Sequence, residues 1–394
     1  MEGIAEFSIA RLPKIVFGEG ALKSVPGRAR SFGARALVVT GASSFRASPH
    51  WRQLTGGLNS EGMSFECLAV GGEPSPELID KAVAEFKSAD IQVVVGVGGG
   101  SALDAAKAVA GLLKTGNPVI DHLEGVGRNV PYEGPAVPFI AVPTTAGTGS
   151  EATKNAVISR HGPDGFKKSF RDEALIARIA VVDPRLLESC PRGVLAANGM
   201  DAFTQLLESL VSIKSNPISE ALAWSGLEAF CGGFFAAWEG RSEKARAGRS
   251  RLAYASLMSG VVLAQTGLGA VHGLAPPLGS LFPIAHGAAC AAVLAEATEV
   301  NIRALKKRLP DSPALDNYAR VGRLVSGVRG DAHRNLVDTL RAWTEKLALP
   351  RLGEFGVGEA DVARIVAGCR GSSMKTNPVE LTDSEVAEIV RRRL

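Results

Sequence analysis

Short apolar runs at residues 15–17, 36–40, 91–95, 137–142 and 179–182 alternate with segments of helical spacing through the first half of the chain. This alternation predicts a parallel sheet covered by helices. After Asp183-Pro184 the strand signals stop. From Val194 onward helix follows helix, over 217–238, 245–265, 288–305 and 315–325, with a last one capped by Thr382-Asp383-Ser384-Glu385. The predicted organisation is an α/β domain over 1–186 and an all-helical domain over 187–394.

Between Leu252 and Ala295 there is no Asp, Glu, Lys or Arg, which by length alone would permit a membrane span. The stretch carries Gln265, Thr266, His272 and His286, and Pro276, Pro277 and Pro283 interrupt it. Such breaks and polar groups are costly in lipid. A buried central helix followed by a loop entering an active site explains both features, so no membrane partner is expected.

At 394 residues the chain exceeds the size at which one core usually stops growing, which agrees with two domains. A net charge of +4, with no dense basic run before Arg391-Arg392-Arg393, does not point to nucleic acid. Those arginines complement the end of the last helix dipole. Cys67, Cys190, Cys231, Cys290 and Cys369 are odd in number, scattered and never in a Cys-x-x-Cys pair, so they read as reduced thiols of a cytoplasmic protein. The amino terminus lacks a signal-peptide layout, and export is not expected.

Two glycine-rich segments carry the candidate chemistry. GVGGGSALDAAK, residues 96–107, follows a predicted strand and opens into a helix with Leu103, Ala106, Val109, Ala110 and Leu113 on one face. Consecutive glycines admit a bulky anion, and the helix start offers unpaired N–H groups and a positive dipole end, which together suit a phosphate. The plainer alternative is that Ser101 and Asp104 form only an N-cap with an acidic first turn. PTTAGTGSE, residues 143–151, repeats the arrangement after the next strand. Two polar loops at the carboxyl ends of two strands line one crevice, where open α/β sheets bind ligands.

In the second half, Asp201, Gln205 and Glu208 stand at i, i+4 and i+7, with the first two one helical turn apart on the same side. His272 and His286 follow downstream. An aspartate oxygen, an amide oxygen and two imidazoles can surround Fe²⁺, Zn²⁺ or Mn²⁺. The same residues also suit a structural role, with Asp201 and Gln205 bridging helices and the histidines hydrogen-bonded in a core or touching substrate.

Taken together, RLPKIVFGEGAL, GGGSALDAAK, PTTAGTGSE, VVDP, NGMDAFTQLLE, VHGLAPPLG…PIAHG and TNP resemble the iron-containing, or group III, alcohol dehydrogenases over nearly the whole chain. The resemblance implies the dehydroquinate synthase-like architecture: a nucleotide-binding α/β domain, a helical domain, and a metal and substrate site between them. It implies that Gly98, Gly99, Gly100 and Ser101 hold a pyrophosphate with Asp104 supporting the turn. Thr144, Thr145 and Thr148 then contact the nicotinamide and ribose, and Lys167 contacts the cofactor. Its metal ligands, an aspartate and three histidines, map to Asp201, Gln205, His272 and His286, so Gln205 is a departure. Pro276 is a second departure, standing where the family has a further active-site histidine. At Gly41 an NAD-preferring member carries aspartate; glycine there removes the repulsion of a 2′-phosphate and admits NADP, while a tight strand-to-helix turn would also select a small residue.

The implied activity is NAD(P)-dependent interconversion of an alcohol with an aldehyde or ketone, assisted by Fe²⁺ or Zn²⁺, in a homodimer. If no metal is held, His272, His286 and Lys167 are the candidates for stabilising developing negative charge. Two alternatives stand beside it. One is a metal-independent oxo-acid reductase like the maleylacetate reductases, using Lys168 and Arg171 for a carboxylate. The other is a nucleotide-binding protein that has lost catalysis. Phe282 is a candidate pocket wall.

Overall fold

The computed structural model describes residues 4–162, 165–240 and 242–394. Strands β1 (Lys14–Phe17), β2 (Arg35–Gly41), β3 (Ser64–Val70), β4 (Val93–Gly98), β5 (Phe139–Pro143) and β8 (Ile179–Val182) form one sheet in the order β1-β8-β5-β4-β2-β3, with every pair parallel. Strands β6 (Asn155–Arg160) and β7 (Phe166–Arg171) make a separate antiparallel hairpin. Helices α1 (Val25–Arg30) and α2 (Pro49–Ser60) cover one face of the sheet; α3 (Pro76–Phe86) and α4 (Gly100–Leu112) cover the other. Chain connections therefore change face between β2 and β4. The carboxyl ends of those strands, at Gly41 and Gly98, flank the crevice that this change of face opens.

The helical region comprises α5 (Arg192–Val211), α6 (Pro217–Glu239), α7 (Glu243–Thr266), α8 (Ala270–Leu281), α9 (His286–Arg308), α10 (Pro313–Ser326), α11 (Ala332–Lys346), α12 (Val362–Gly368) and α13 (Asp383–Arg391). Its core is continuous with Ala146, Ala152 and Val182 of the α/β domain.

Three local features differ from the pattern reading. Strand β3 was not anticipated, because SFECLAV lies at the sheet edge with only partial cover and shows no clear apolar run. Hairpin β6–β7 was also unforeseen: FKKSFR carries three basic residues and no apolar run, while Ala156, Ile158 and Phe170 pack beneath α4 and its neighbours. The charge-free stretch contains no active-site loop around His272 but a second helix, α8, set at 102° to α7. Pro276 and Pro277 lie inside it. No single helix among the described residues is long and apolar enough to cross a membrane.

Strand β4 extends to Gly98, Gly99 is the N-cap in extended conformation, and Gly100 already begins α4. Neither Ser101 nor Asp104 caps the helix. Asp104 instead points inward, accepting from Ser150 Oγ at 2.6 Å and from the Val157 amide at 3.1 Å. One turn on, fully buried Lys107 reaches Ser150 O at 2.9 Å, Thr153 Oγ1 at 3.1 Å and Asn155 O at 2.6 Å. Burial pushes the Lys107 ammonium down to about 8 against the attraction of Asp104 and Glu151. This cluster ties the first glycine loop to the second and to the hairpin. Lys107→Met should strand buried acceptors and the Asp104 carboxylate, destabilising the protein by about 3–5 kcal/mol. Urea unfolding checks this, and an unchanged midpoint would remove the cluster from the stability argument.

Candidate active site

The two glycine loops meet directly. A Cβ on Gly99 would lie 3.2 Å from the Thr145 side chain, and one on Gly100 2.8 Å from Thr148. The small residues of the first loop thus make room for the threonines of the second. Thr144 is held at the same edge, its amide donating to Gly98 O at 2.9 Å. Gly41 ends β2 beside Gly98, and Ala42, Ser43 and Ser44 beyond it are exposed.

A cleft of about 300 Å³ runs between this edge and the helices. Gly100, Ser101, Asp104, Thr148, Lys167, Gln205, His272 and His286 line it, so it gathers predicted residues from both halves of the chain. Gly41, Gly98, Gly99, Thr144 and Thr145 lie at the sheet edge outside its lining; Phe282 is half-buried and outside it too, whereas Pro276 borders it.

Behind the cleft wall is a group of four potential ligand atoms, from Asp201, His272, His286 and Cys290, all within 4.8 Å of one another. Asp201 comes from the middle of α5, where it is fully buried. His272 comes from the first turn of α8 and His286 opens α9. His272 Nε2 is 3.1 Å from Asp201 Oδ1, and His286 Nε2 is 3.8 Å from the same oxygen. On its other side, His272 Nδ1 is 2.7 Å from Glu208 Oε2, and Glu208 Oε1 accepts from the Val271 amide at 2.7 Å. Glu208 therefore fixes both the ring and the start of α8.

A carboxylate on Nδ1 directs the lone pair of a neutral imidazole to Nε2, the arrangement by which proteins orient metal-binding histidines. Burial opposes charge on His272, but the Cys290 sulfur and the carboxylates of Asp201 and Glu208 outweigh it and raise the ring well above its ordinary value. The gap between Nε2 and Asp201 thus attracts a positive charge, whether proton or metal. Burial, with Lys167 and His272 nearby, pushes His286 down to about 4, leaving it neutral at physiological pH. Asp201 Oδ2 and His286 Nδ1 are buried with no hydrogen-bond partner. Unpaired polar atoms beside three convergent donors suit a divalent cation.

Gln205 borders the cleft one turn from Asp201, and its Oε1 accepts from Ser259 Oγ at 2.7 Å. Lys167 lies on strand β7, mostly buried and ion-paired with Glu73. Burial alone would raise the Glu73 carboxyl; Lys167 and Ser159 hold it below its ordinary value. The sequence reading missed Glu73 and the partnership of Cys290 with the histidines. For Cys290 a signal existed: it follows His286 by four residues, which puts both on one helical face.

A parallel sheet with glycine-lined strand ends, opening onto a buried histidine–carboxylate group across one cleft, suits a nucleotide-using oxidoreductase. Comparison with known proteins is specific. Residues 13–184 match the family described as iron-containing alcohol dehydrogenase, and residues 195–394 match its C-terminal counterpart. The chain belongs to the iron-containing alcohol dehydrogenase family and is an oxidoreductase of the alcohol dehydrogenase type. It is 31% identical over 389 residues to long-chain-alcohol dehydrogenase 1 of Geobacillus thermodenitrificans, covering 97% of this chain and 96% of that one. It is 27% identical to an NADPH-dependent butanol dehydrogenase of Clostridium saccharobutylicum, covering 96% of each. The solved iron-containing alcohol dehydrogenase of Thermotoga maritima superposes with a TM-score of 0.84 at 29% identity, covering 99% of both chains.

Glu208→Gln preserves volume but removes the charge that orients His272. It should weaken divalent-metal binding by about 10–100-fold. Competition with a chelator measures this, and equal affinity would dissociate Glu208 from metal binding.

Proposed function

We propose that this protein reduces aldehydes or ketones to alcohols, and runs the reverse reaction, with nucleotide bound along Gly98, Gly99, Gly100, Ser101, Thr144, Thr145 and Thr148. The observation that carries this reading is the single cleft lined by Gly100, Ser101 and Thr148 on one side and by His272 and His286 on the other. Asp201, His272 and His286 would hold a divalent metal, either Fe²⁺ or Zn²⁺. The nucleotide supplies the hydride, and the metal when bound polarises the carbonyl oxygen. Glu208 holds the His272 ring in register. Neutral His286 serves as a lone-pair donor rather than an acid. Lys167, paired with Glu73, keeps the mouth of the cleft polar without adding free charge.

The oxo-acid alternative is not favoured. Of the two basic residues it would use, Lys168 and Arg171, the second is already ion-paired with Glu124 at 3.0 Å.

For the nucleotide, the reading favours NADP. Gly41 carries no charge at the end of β2, and Arg46 stands beside it, its Nε donating to Thr40 Oγ1 at 2.8 Å while its Nη2 is buried without a partner. A guanidinium next to this turn suits a 2′-phosphate. Gly41→Asp should raise the KM for NADPH by about 10-fold or more through charge repulsion. Kinetics with both nucleotides test it, and an unchanged NADPH/NADH ratio would refute the assignment.

Aldehyde reduction with NADPH before and after chelation tests the metal. Removing it should cost about 100-fold or more in turnover, recovered on adding Zn²⁺ or Fe²⁺. Full activity of the metal-free protein would sink the metal-assisted reading and leave the nucleotide assignment standing.

A further inference from the structure

We propose that Cys290 is a thiolate ligand, so that the metal sits in a shell of one carboxylate oxygen, two imidazole nitrogens and one sulfur, and is zinc. The inference rests on the metal-assisted reading above and extends it to a ligand and a metal.

The geometry carries it. His286 and Cys290 stand one turn apart on α9, so a single helical face presents an imidazole and a sulfur to the same point. Cys290 Sγ is 3.7 Å from His272 Nε2 and 3.8 Å from His286 Nε2. Metal–nitrogen bonds of about 2.1 Å and a metal–sulfur bond of about 2.3 Å at tetrahedral angles give an N···S edge of about 3.6 Å. The corresponding O···N edge is about 3.4 Å, and Asp201 Oδ1 lies 3.1 and 3.8 Å from the two imidazoles. Four of the six edges therefore lie close to those of a tetrahedral shell, and all six are under 4.8 Å.

Three further observations agree. Asp201 Oδ2 is buried without a hydrogen-bond partner, which suits a carboxylate that faces a cation. The buried Cys369 donates to Val366 O at 3.1 Å, whereas the Cys290 sulfur faces two ring nitrogens. Gln205 Oε1 accepts from Ser259 Oγ at 2.7 Å, whereas the Cys290 sulfur lies in the group with Asp201, His272 and His286. A carboxylate and a thiolate together match the charge of the divalent ion they would bind. A sulfur donor, together with the ordinary affinity order of divalent metals, favours Zn²⁺ over Fe²⁺ and Mn²⁺.

The test is cobalt substitution of the full-length protein after chelation. Wild type loaded with Co²⁺ should show sulfur-to-cobalt charge-transfer absorption in the near ultraviolet; Cys290→Ser should lose it and Gln205→Leu should keep it. Circular dichroism and NADPH binding check that the variants fold. X-ray absorption of the zinc-loaded wild type needs no variant and should show one sulfur at about 2.3 Å. One Co²⁺ bound per chain without the band, or a band that survives in Cys290→Ser, would overturn the ligand assignment while leaving the metal-assisted reading intact. Aldehyde reduction by protein that binds neither Co²⁺ nor Zn²⁺ would overturn both.

Discussion

The close approach of Gly149 to Gly260 is the constraint on which the cleft depends. Gly149 has φ +59°, and a Cβ on it would lie 2.3 Å from Gly260 Cα; a Cβ on Gly260 would lie 2.2 Å from Gly149 O. No side chain fits at either position, so the second glycine loop rests backbone to backbone on α7. Two residues earlier in the loop, a Cβ on Gly147 would lie 2.7 Å from Asn198 Cβ on α5. These contacts set the height of α5 and α7 above the sheet edge. Asp201, less than one turn beyond Asn198, is thereby brought level with the loops that suit a nucleotide.

The same junction explains how so many charged groups can be buried. Lys107, Asp104 and Ser150 neutralise and hydrogen-bond one another beneath the glycine loops. Across the cleft, Glu208 and Asp201 flank His272. In the first group the donors and acceptors are matched, which makes it a structural brace. In the second, oxygen and nitrogen atoms remain unpaired around a point where donors converge. Burial costs an unpaired polar group more than a paired one, so the unmatched group is where a ligand stabilises the fold most.

Much of the architecture was legible because it rests on local period. The buried central strands of a parallel sheet are continuous apolar runs, and the long helices of the second half repeat every three to four residues. Strand β3 escaped this reading because an edge strand need not be apolar on both faces. Helix α8 was hidden by Pro276 and Pro277, whose cost is met in a helix held by Glu208 and Asn377 at its amino end. Asp201, His272 and His286 were legible as chemical types at suggestive spacing. Cys290 carried only a spacing signal, four residues after His286, and spacing within one helix does not show that a sulfur also meets His272 from another.

The sequence alone determined the alternation of strands and helices, the two glycine loops with the anion chemistry they suit, and the family to which those motifs point. These follow from backbone freedom, periodicity and residue type, which are properties of short segments. Only the tertiary structure decided that Asp104 faces inward to Ser150, that Lys167 carries Glu73 as a partner, and that Gln205 is bonded to Ser259 while Cys290 faces the histidines. Those partnerships join residues from different elements, and burial made each of them a choice between pairing and an uncompensated charge or dipole. Packing settles such choices, and no period in the chain records them.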